Sequence, residues 1–560
     1  MYVQLSLAWA RRLWWFGALV WQCRAWQYGI VVDAGTGGSR LHAFRWAERV
    51  ADPLHPHNAA ITIPEGMFQV QVKPGISAFT EDVSGLYPYL DRLMSLAKEK
   101  LHHLRELWPL IPIYFKATAG ARDLFQDERD RIFAVIREYL YACPFRFETD
   151  YWARTISGEE EGVYAWLSVN LLSGTFRSSR KSDTWGSMDM GGASTQVAFL
   201  PHDVSIVQNF FPLHLSYLSI HLYAHSYLEF GYNDANQRIL RQFLWSGASG
   251  TEDNPLAHPC FPAGRQFRQP LREPFFVGRS SISVVGTGDV PRCMELATKL
   301  LDLNKPCFVP AKSRDFANDS WASGACAISG TYEPALHTAK FVAMGQFSKI
   351  ARSMGLPLDA RSPLSAWFQG TQRLCAAEPS TLKFDAAVDD PESLAASPVP
   401  TGWIPDPMAS ELSRCWKAIW FWTVLHKGFH FPLDTEQIWF AGTLEGQHTA
   451  WALGSMAYDA NYYPWGGRLE LGSLEASAEL ARGAWPSAWV PAAGPVLGVA
   501  LGLAVGLAAG LALSTCILSS RWRTAGPRLE AAAGLESTHR SGGHWRWRLK
   551  AEGEYRLLGC

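Results

Sequence analysis

Gly29-Ile-Val-Val-Asp33 runs directly into Ala-Gly-Thr-Gly-Gly-Ser-Arg40, and Leu41 to Phe44 resumes an extended pattern. An apolar strand that ends in Asp, turns through glycines and returns reads as a hairpin with a glycine-rich tip. The same unit recurs near residue 187: Trp185–Asp189 is strand-like, Gly191-Gly192 makes the turn, and Ala193–Leu200 continues as a strand. Ile111–Lys116 is a further short strand leading into Ala117-Thr-Ala-Gly120 and a charged helix through Leu140. Apolar residues at helical spacing over 83–107 (Leu86, Leu90, Leu93, Leu96, Ala97, Leu101, Leu104) predict an amphipathic helix. Two copies of one strand–turn–strand unit predict a duplicated α/β architecture, with both tips facing the cleft between the halves.

The tips carry the chemistry. Small residues let several backbone N–H groups converge on one point, a concavity that suits phosphate oxygens. The Asp before each tip, Asp33 or Asp189, stands where a cation bridging those phosphates would be held, usually through water. One such loop is weak, because glycine hairpins are common. Two matched loops imply a two-sided clamp on a polyphosphate, with Gly37, Gly38, Gly191, Gly192 and Ala193 supplying donors.

The chain has 560 residues, 48% hydrophobic and 18% charged, which excludes a disordered or low-complexity protein. A formal net charge of -1 makes no electrostatic case for nucleic acid as a partner. Residues 1–26 carry three arginines and no acid, and 521–560 carry eight basic against four acidic residues, so the body is net acidic. Residues 492–520 hold no charge, and Val496–Leu518 is almost wholly Leu, Ala, Val and Gly, long enough to span a bilayer as helix. Gly498, Gly502, Gly506 and Gly510 at four-residue spacing would let a second helix approach, a route to a homo-oligomer. Arg521 and Arg523 follow at once, which places the 521–560 tail in the cytoplasm and the body outside the cell or in a lumen. The segment before the body, residues 1–26, fits either a signal peptide or a short anchor. Residues 466–491 read as a stalk, and the Pro-rich, acid-rich stretch Asp385–Pro407 as a surface loop. Seven body cysteines without a Cys-x-x-Cys pair suggest three disulfides and one odd thiol, Asn318-Asp-Ser320 being a glycosylation sequon that suits the same compartment.

Five segments, in order, resemble the apyrase family, the nucleoside triphosphate diphosphohydrolases: Gly29–Arg40; Phe115-Lys-Ala-Thr-Ala-Gly-Ala-Arg122; Ile156-Ser-Gly-Glu-Glu-Glu-Gly-Val-Tyr-Ala-Trp166; Ser187-Met-Asp-Met-Gly-Gly-Ala-Ser-Thr-Gln196; and Trp451-Ala-Leu-Gly454. The resemblance implies an actin-like pair of ribonuclease H-like α/β domains around a nucleotide cleft, one built from 27–157 with 442–465 and the other from 158–441. It implies hydrolysis of terminal phosphates of nucleoside tri- and diphosphates with calcium or magnesium, without a phosphoenzyme. On this chain Glu161 matches the catalytic base, Ser194 and Gln196 the residues that position water, and Asp33 and Asp189 those that hold the hydrated metal. Thr36, Ser39, Thr118 and Ala119 match phosphate-contacting positions. Glu159 and Glu160 are rival carboxylates, read as charges on a solvated first helical turn. The implied disulfides are Cys260–Cys307, Cys293–Cys326 and Cys375–Cys415, where sequence alone allows 15 pairings.

Two departures stand out. Gly37-Gly38 replaces a Ser-His common in surface members, and Gly345-Gln346 stands where many members carry base-stacking aromatics. Phe347 and Trp451 are the substitutes on offer, Trp451 equally suited to a core position. Two other classes share the scaffold: a non-catalytic nucleotide receptor, separated by phosphate release from ATP, and a sugar kinase or chaperone ATPase, separated by transfer to sugar instead of water.

Overall fold

The computed structural model describes residues 26–462 apart from 49–60, 178–182, 202–207, 217, 272–275, 277–279, 308–325, 335, 337–339, 359 and 377–410. The N-terminal segment through residue 25, the sequon, the Pro-rich loop, the stalk, the apolar span 492–520 and the basic tail lie outside the described residues. Among the described residues no helix is long and apolar enough to cross a membrane.

The first sheet contains β1 (Trp26–Gly35), β2 (Gly38–Ala47), β3 (Glu65–Val72), β4 (Ile113–Ala117) and β5 (Ala153–Thr155), in the order β3-β2-β1-β4-β5. β1, β2 and β3 are antiparallel neighbours; β1, β4 and β5 run parallel. Gly35 pairs with Gly38, so Thr36-Gly37 forms a two-residue hairpin tip. Ile30, Val31 and Val32 are wholly buried, the continuous apolar run expected of a strand covered on both faces. Helices α1 (Leu86–Lys100), α2 (Ala119–Arg122) and α3 (Gln126–Ala142) accompany this sheet. α1 buries Leu86, Leu90, Leu93, Leu96 and Ala97, the stripe its spacing predicts, but it stops at Lys100 and a 3-10 segment carries the chain to Leu110.

Helix α4 (Gly158–Leu172) is buried on every side. Tyr164, Ala165 and Val169 join the core under the first sheet, while Val163, Trp166 and Leu167 pack with Ala198 and Leu222 of the second half. A helix apolar all round belongs between two bodies, not on a surface.

The second sheet follows: β6 (Gly186–Met190), β7 (Ser194–Phe199), β8 (Phe210–Leu215) and β9 (Leu218–Leu228). Then come α5 (Tyr232–Trp245), a small sheet of β10 (Leu256–His258), β11 (Gln266–Pro270) and β12 (Ser281–Gly286), and α6 (Val290–Leu300). β13 (Phe341–Gly345), α7 (Gln346–Ser353), α8 (Leu364–Ala376), α9 (Arg414–Thr423), β14 (Ile438–Phe440) and α10 (Trp451–Tyr462) follow among the described residues. The order is β14-β13-β6-β7-β9-β8. β6, β7 and β9 are antiparallel neighbours, and β6, β13 and β14 run parallel. Apart from the added edge strand β8, both sheets therefore share one mixed order, the duplication that the two glycine hairpins announce. The core of the second half centres on Trp367, Trp416, Trp420 and Phe421, all fully buried. α10 returns to the first half and packs against α4, where a Cβ on Gly454 would lie 1.8 Å from the Tyr164 carbonyl oxygen.

All six expected cysteines are bonded, but two of the three bonds differ from the implied set. The bonds are Cys260–Cys293, Cys307–Cys326 and Cys375–Cys415. β10 runs parallel to β12, and Thr287 N donates to His258 O, so Cys260 lies beside the start of α6, which carries Cys293. Ser329 N donates to Leu301 O, bringing the chain around Cys326 back to that leading to Cys307. Cys143 is the odd thiol, half-buried, with Sγ 3.7 Å from Phe145 O.

Candidate active site

The two hairpin tips meet. A Cβ on Gly192 would lie 3.3 Å from Thr36 Cβ, and one on Gly120 would lie 2.9 Å from Thr36 Cα, so the first tip is lodged between the second tip and the start of α2. The second tip is held from behind by the first turn of α5: Tyr232 N donates to Gly191 O at 3.1 Å, and Asn233 N to Gly192 O at 2.8 Å. Three expected donors are engaged elsewhere. Gly191 N closes its own turn on Ser194 O, Thr118 N bonds Ala34 O, and Ser39 N goes to the Tyr89 hydroxyl at 3.1 Å. Ser39 and Thr118 are therefore not backbone donors to a ligand, although Ser39 Oγ is buried without a partner.

Asp33 and Asp189 end β1 and β6 at equivalent points of the two sheets. Burial pushes the Asp33 carboxyl up to about 6 against the lowering pull of Arg40, whose Nη1 lies 3.6 Å from Asp33 Oδ2. Asp189 is likewise pushed up to about 6, by burial and then by the negative charge of Asp33. Two half-buried carboxylates that repel one another, both within the field of Arg40, form a donor pair that fits a divalent cation. Among the described residues no group of three or more His, Cys, Asp or Glu converges on a point.

Glu161 lies one turn into α4. The start of that helix is a capping box in which Glu160 N donates to Ser157 Oγ at 3.1 Å and Ser157 N to Glu160 Oε2 at 3.0 Å. Glu160 is gripped on both oxygens by Arg154, at 2.8 and 2.5 Å, so it is an anchored structural carboxylate and not a solvated one. Glu161, 6% exposed, forms an ion pair with Arg122 and accepts from Gln196 Nε2 at 3.2 Å. Gln196 Nε2 also lies 2.5 Å from Ser194 Oγ and 3.1 Å from Ser226 Oγ, while its Oε1 is buried without a protein partner. Burial pushes the Glu161 carboxyl up to about 8; Arg122 opposes that rise, and the charges of Asp189 and Asp33 add to it.

Glu161, Ser194, Gln196, Asp33, Asp189, Thr36 and Gly192 thus gather in one region, with Ala119 at the start of the adjoining α2. Phe347 and Trp451 do not join them. Phe347 is wholly buried against Phe421, with ring centroids 4.9 Å apart, and Trp451 packs against Tyr164. Helical position decides both: each ring lies on the inner face of its helix and offers no free face to a base. The departure at Gly345 has a local reason, since its φ is +61° and a Cβ there would lie 2.5 Å from Asp189 Oδ1. Sequence reasoning missed Arg40, Arg122 and Ser226. The first two stand inside quoted motifs, while Ser226 carries no motif and is found only through its strand partner.

Paired carboxylates, glycine tips and a buried acid beside an amide are the donor set of a phosphoryl-handling site. A family model described as GDA1/CD39 (nucleoside phosphatase) family matches residues 22–473. Probable apyrase 4 of Arabidopsis thaliana is 26% identical over 437 residues, spanning 76% of this chain and 78% of that protein. Ectonucleoside triphosphate diphosphohydrolase 1 of Mus musculus is 26% identical over 478 residues, spanning 78% and 82%. The nucleoside triphosphate hydrolase structure from Neospora caninum shares the mixed α/β fold with a TM-score of 0.53 at 18% identity, spanning 84% of this chain and 98% of that one. The chain belongs to the GDA1/CD39 (nucleoside phosphatase) family.

Proposed function

We propose that the chain is a membrane-attached apyrase that removes terminal phosphates from nucleoside tri- and diphosphates, with Glu161 as general base. The observation that carries this reading is the placement of Glu161 between Arg122 and Gln196, in electrostatic reach of the two aspartates behind the hairpin tips. The terminal phosphate would sit against the joined tips, beside Thr36 and Gly192. Asp33 and Asp189 would hold a hydrated calcium or magnesium ion, which when bound neutralises phosphate charge. Gln196 Oε1, lacking a protein partner, and Ser194 would orient the attacking water. As the new P–O bond forms and the bond to the nucleotide breaks, Glu161 takes the water's proton.

Residues 27–157 with 442–465 would form one actin-like domain and 158–441 the other. The apolar segment 492–520 would anchor the body on the extracellular or lumenal side of the cell surface or secretory pathway. The test is phosphate release by the full-length chain from ATP, ADP, UDP and GDP with calcium or magnesium, and again with EDTA. Release that persists at full rate in EDTA removes the roles given to Asp33 and Asp189; no release from any nucleotide removes the reading.

A further inference from the structure

The groups around the Glu161 carboxyl close a ring. Arg122 Nη2 pairs with Glu161 Oε2, and Gln196 Nε2 reaches the same oxygen at 3.2 Å. Both donors converge a second time, on Ser226 Oγ: Arg122 Nη1 at 3.3 Å and Gln196 Nε2 at 3.1 Å. Ser226 has no part in the reading above.

Three features of the fold deliver its hydroxyl to this point. The register of β7 against β9 sets Ser226 directly across from Gln196. Arg122 arrives from α2, beside the first sheet, while Ser226 and Gln196 belong to the second. Gly158, the first residue of α4, is so close that a Cβ there would lie 2.1 Å from Ser226 Cβ and 2.3 Å from Arg122 Nη1. The base-bearing helix is thus seated on Ser226.

We propose that Ser226 is a positioning residue for hydrolysis: its oxygen is the shared acceptor that ties Arg122 of the first half to Gln196 of the second, so that both stay aimed at one oxygen of Glu161. This deepens the reading of Glu161 as the base and rests on it. A guanidinium is planar and rigid, so fixing Nη1 on Ser226 fixes the direction in which Nη2 meets the carboxylate. The amide of Gln196 has two hydrogens and three oxygens within 3.2 Å. Ser226 occupies one hydrogen and thereby sets the rotation of the amide, including the bearing of its unpartnered Oε1.

The test is Ser226→Ala in the full-length chain, alone and combined with Arg122→Lys, which lacks the fork. Loss of one hydrogen-bonding oxygen should lower the thermal midpoint by no more than about 4 °C. kcat should fall about tenfold with KM held within about twofold, the mark of an interaction made in the transition state. On the Arg122→Lys background the further loss from Ser226→Ala should shrink to about threefold, because the Arg122 leg of the link is already gone and only the Gln196 leg remains. A kcat for Ser226→Ala within about twofold of the unmodified chain overturns the proposal, as does a full tenfold loss on the Arg122→Lys background. An unmodified chain that releases no phosphate overturns the hydrolase reading as well, so the two failures are told apart.

Discussion

Glu161 is held between opposing forces. Burial and two neighbouring aspartates favour its neutral form, and Arg122 favours the charged one, with the balance near 8. A base must be ionised, so a cation that offsets Asp33 and Asp189 would also help to free Glu161 of its proton. Glu161→Gln keeps the shape and removes the base; kcat for phosphate release should fall by roughly 10²–10⁴-fold while the fold survives. The stability consequence has a definite sign. Between the ordinary value of 4.5 and about 8 the folded chain keeps a proton that the unfolded chain has lost, so stability falls as pH rises through that window. Asp33 and Asp189, raised from 3.8 to about 6, act in the same direction lower down. Thermal midpoints of the cation-free protein should therefore decline from pH 5 to 8, with a smaller decline in Glu161→Gln; identical slopes for the two proteins would contradict the burial of this carboxyl. Millimolar calcium or magnesium should raise the midpoint more at pH 7 than at pH 5, where protons compete for the aspartates. Equal shifts would place the cation elsewhere.

At the scale of the element, α4 packs with both halves and carries Glu161, the proposed base. Its start carries a capping-box signature, Ser157 followed three residues later by Glu160, which the reading of Glu160 as a solvated charge passed over. That Glu160 belongs to Arg154 was not legible, because the pair depends on how β5 delivers Arg154 to the helix start. The close crossing of α4 and α10 at Gly454 gives a sharp prediction. Gly454→Ala inserts a methyl where only 1.8 Å separates the position from Tyr164 O, so stability measured by urea unfolding should drop by roughly 3 kcal/mol, the upper end of ordinary overpacking costs. A loss under about 0.5 kcal/mol, typical of an open surface site, would show that the helices do not pack this closely.

For the whole molecule, the three disulfides close short stretches of the second half, with partners 33, 19 and 40 residues apart. Each is of a size that commonly contributes about 2–4 kcal/mol. Reductant should lower the thermal midpoint by several degrees or abolish the folded state, and Cys143→Ser should leave that response unchanged; an unaltered midpoint in reductant would remove the bonds. The duplication was readable because a strand, a glycine tip and a returning strand are local patterns that recur. The shared sheet order was not, because strands as distant as β6 and β13 pair only in the folded chain.

Sequence by itself determined the local chemistry: which residues turn the hairpins, which carboxylates precede them and which cysteines are available. These follow from spacing within a few residues, where backbone geometry leaves little choice. Tertiary structure alone decided the partners: Cys260 with Cys293 instead of Cys307, Phe347 and Trp451 inside the cores instead of beside a base, and Arg122, Ser226 and Gln196 around one carboxyl. Contacts between residues so far apart in the chain depend on strand register and helix packing, which no local pattern encodes.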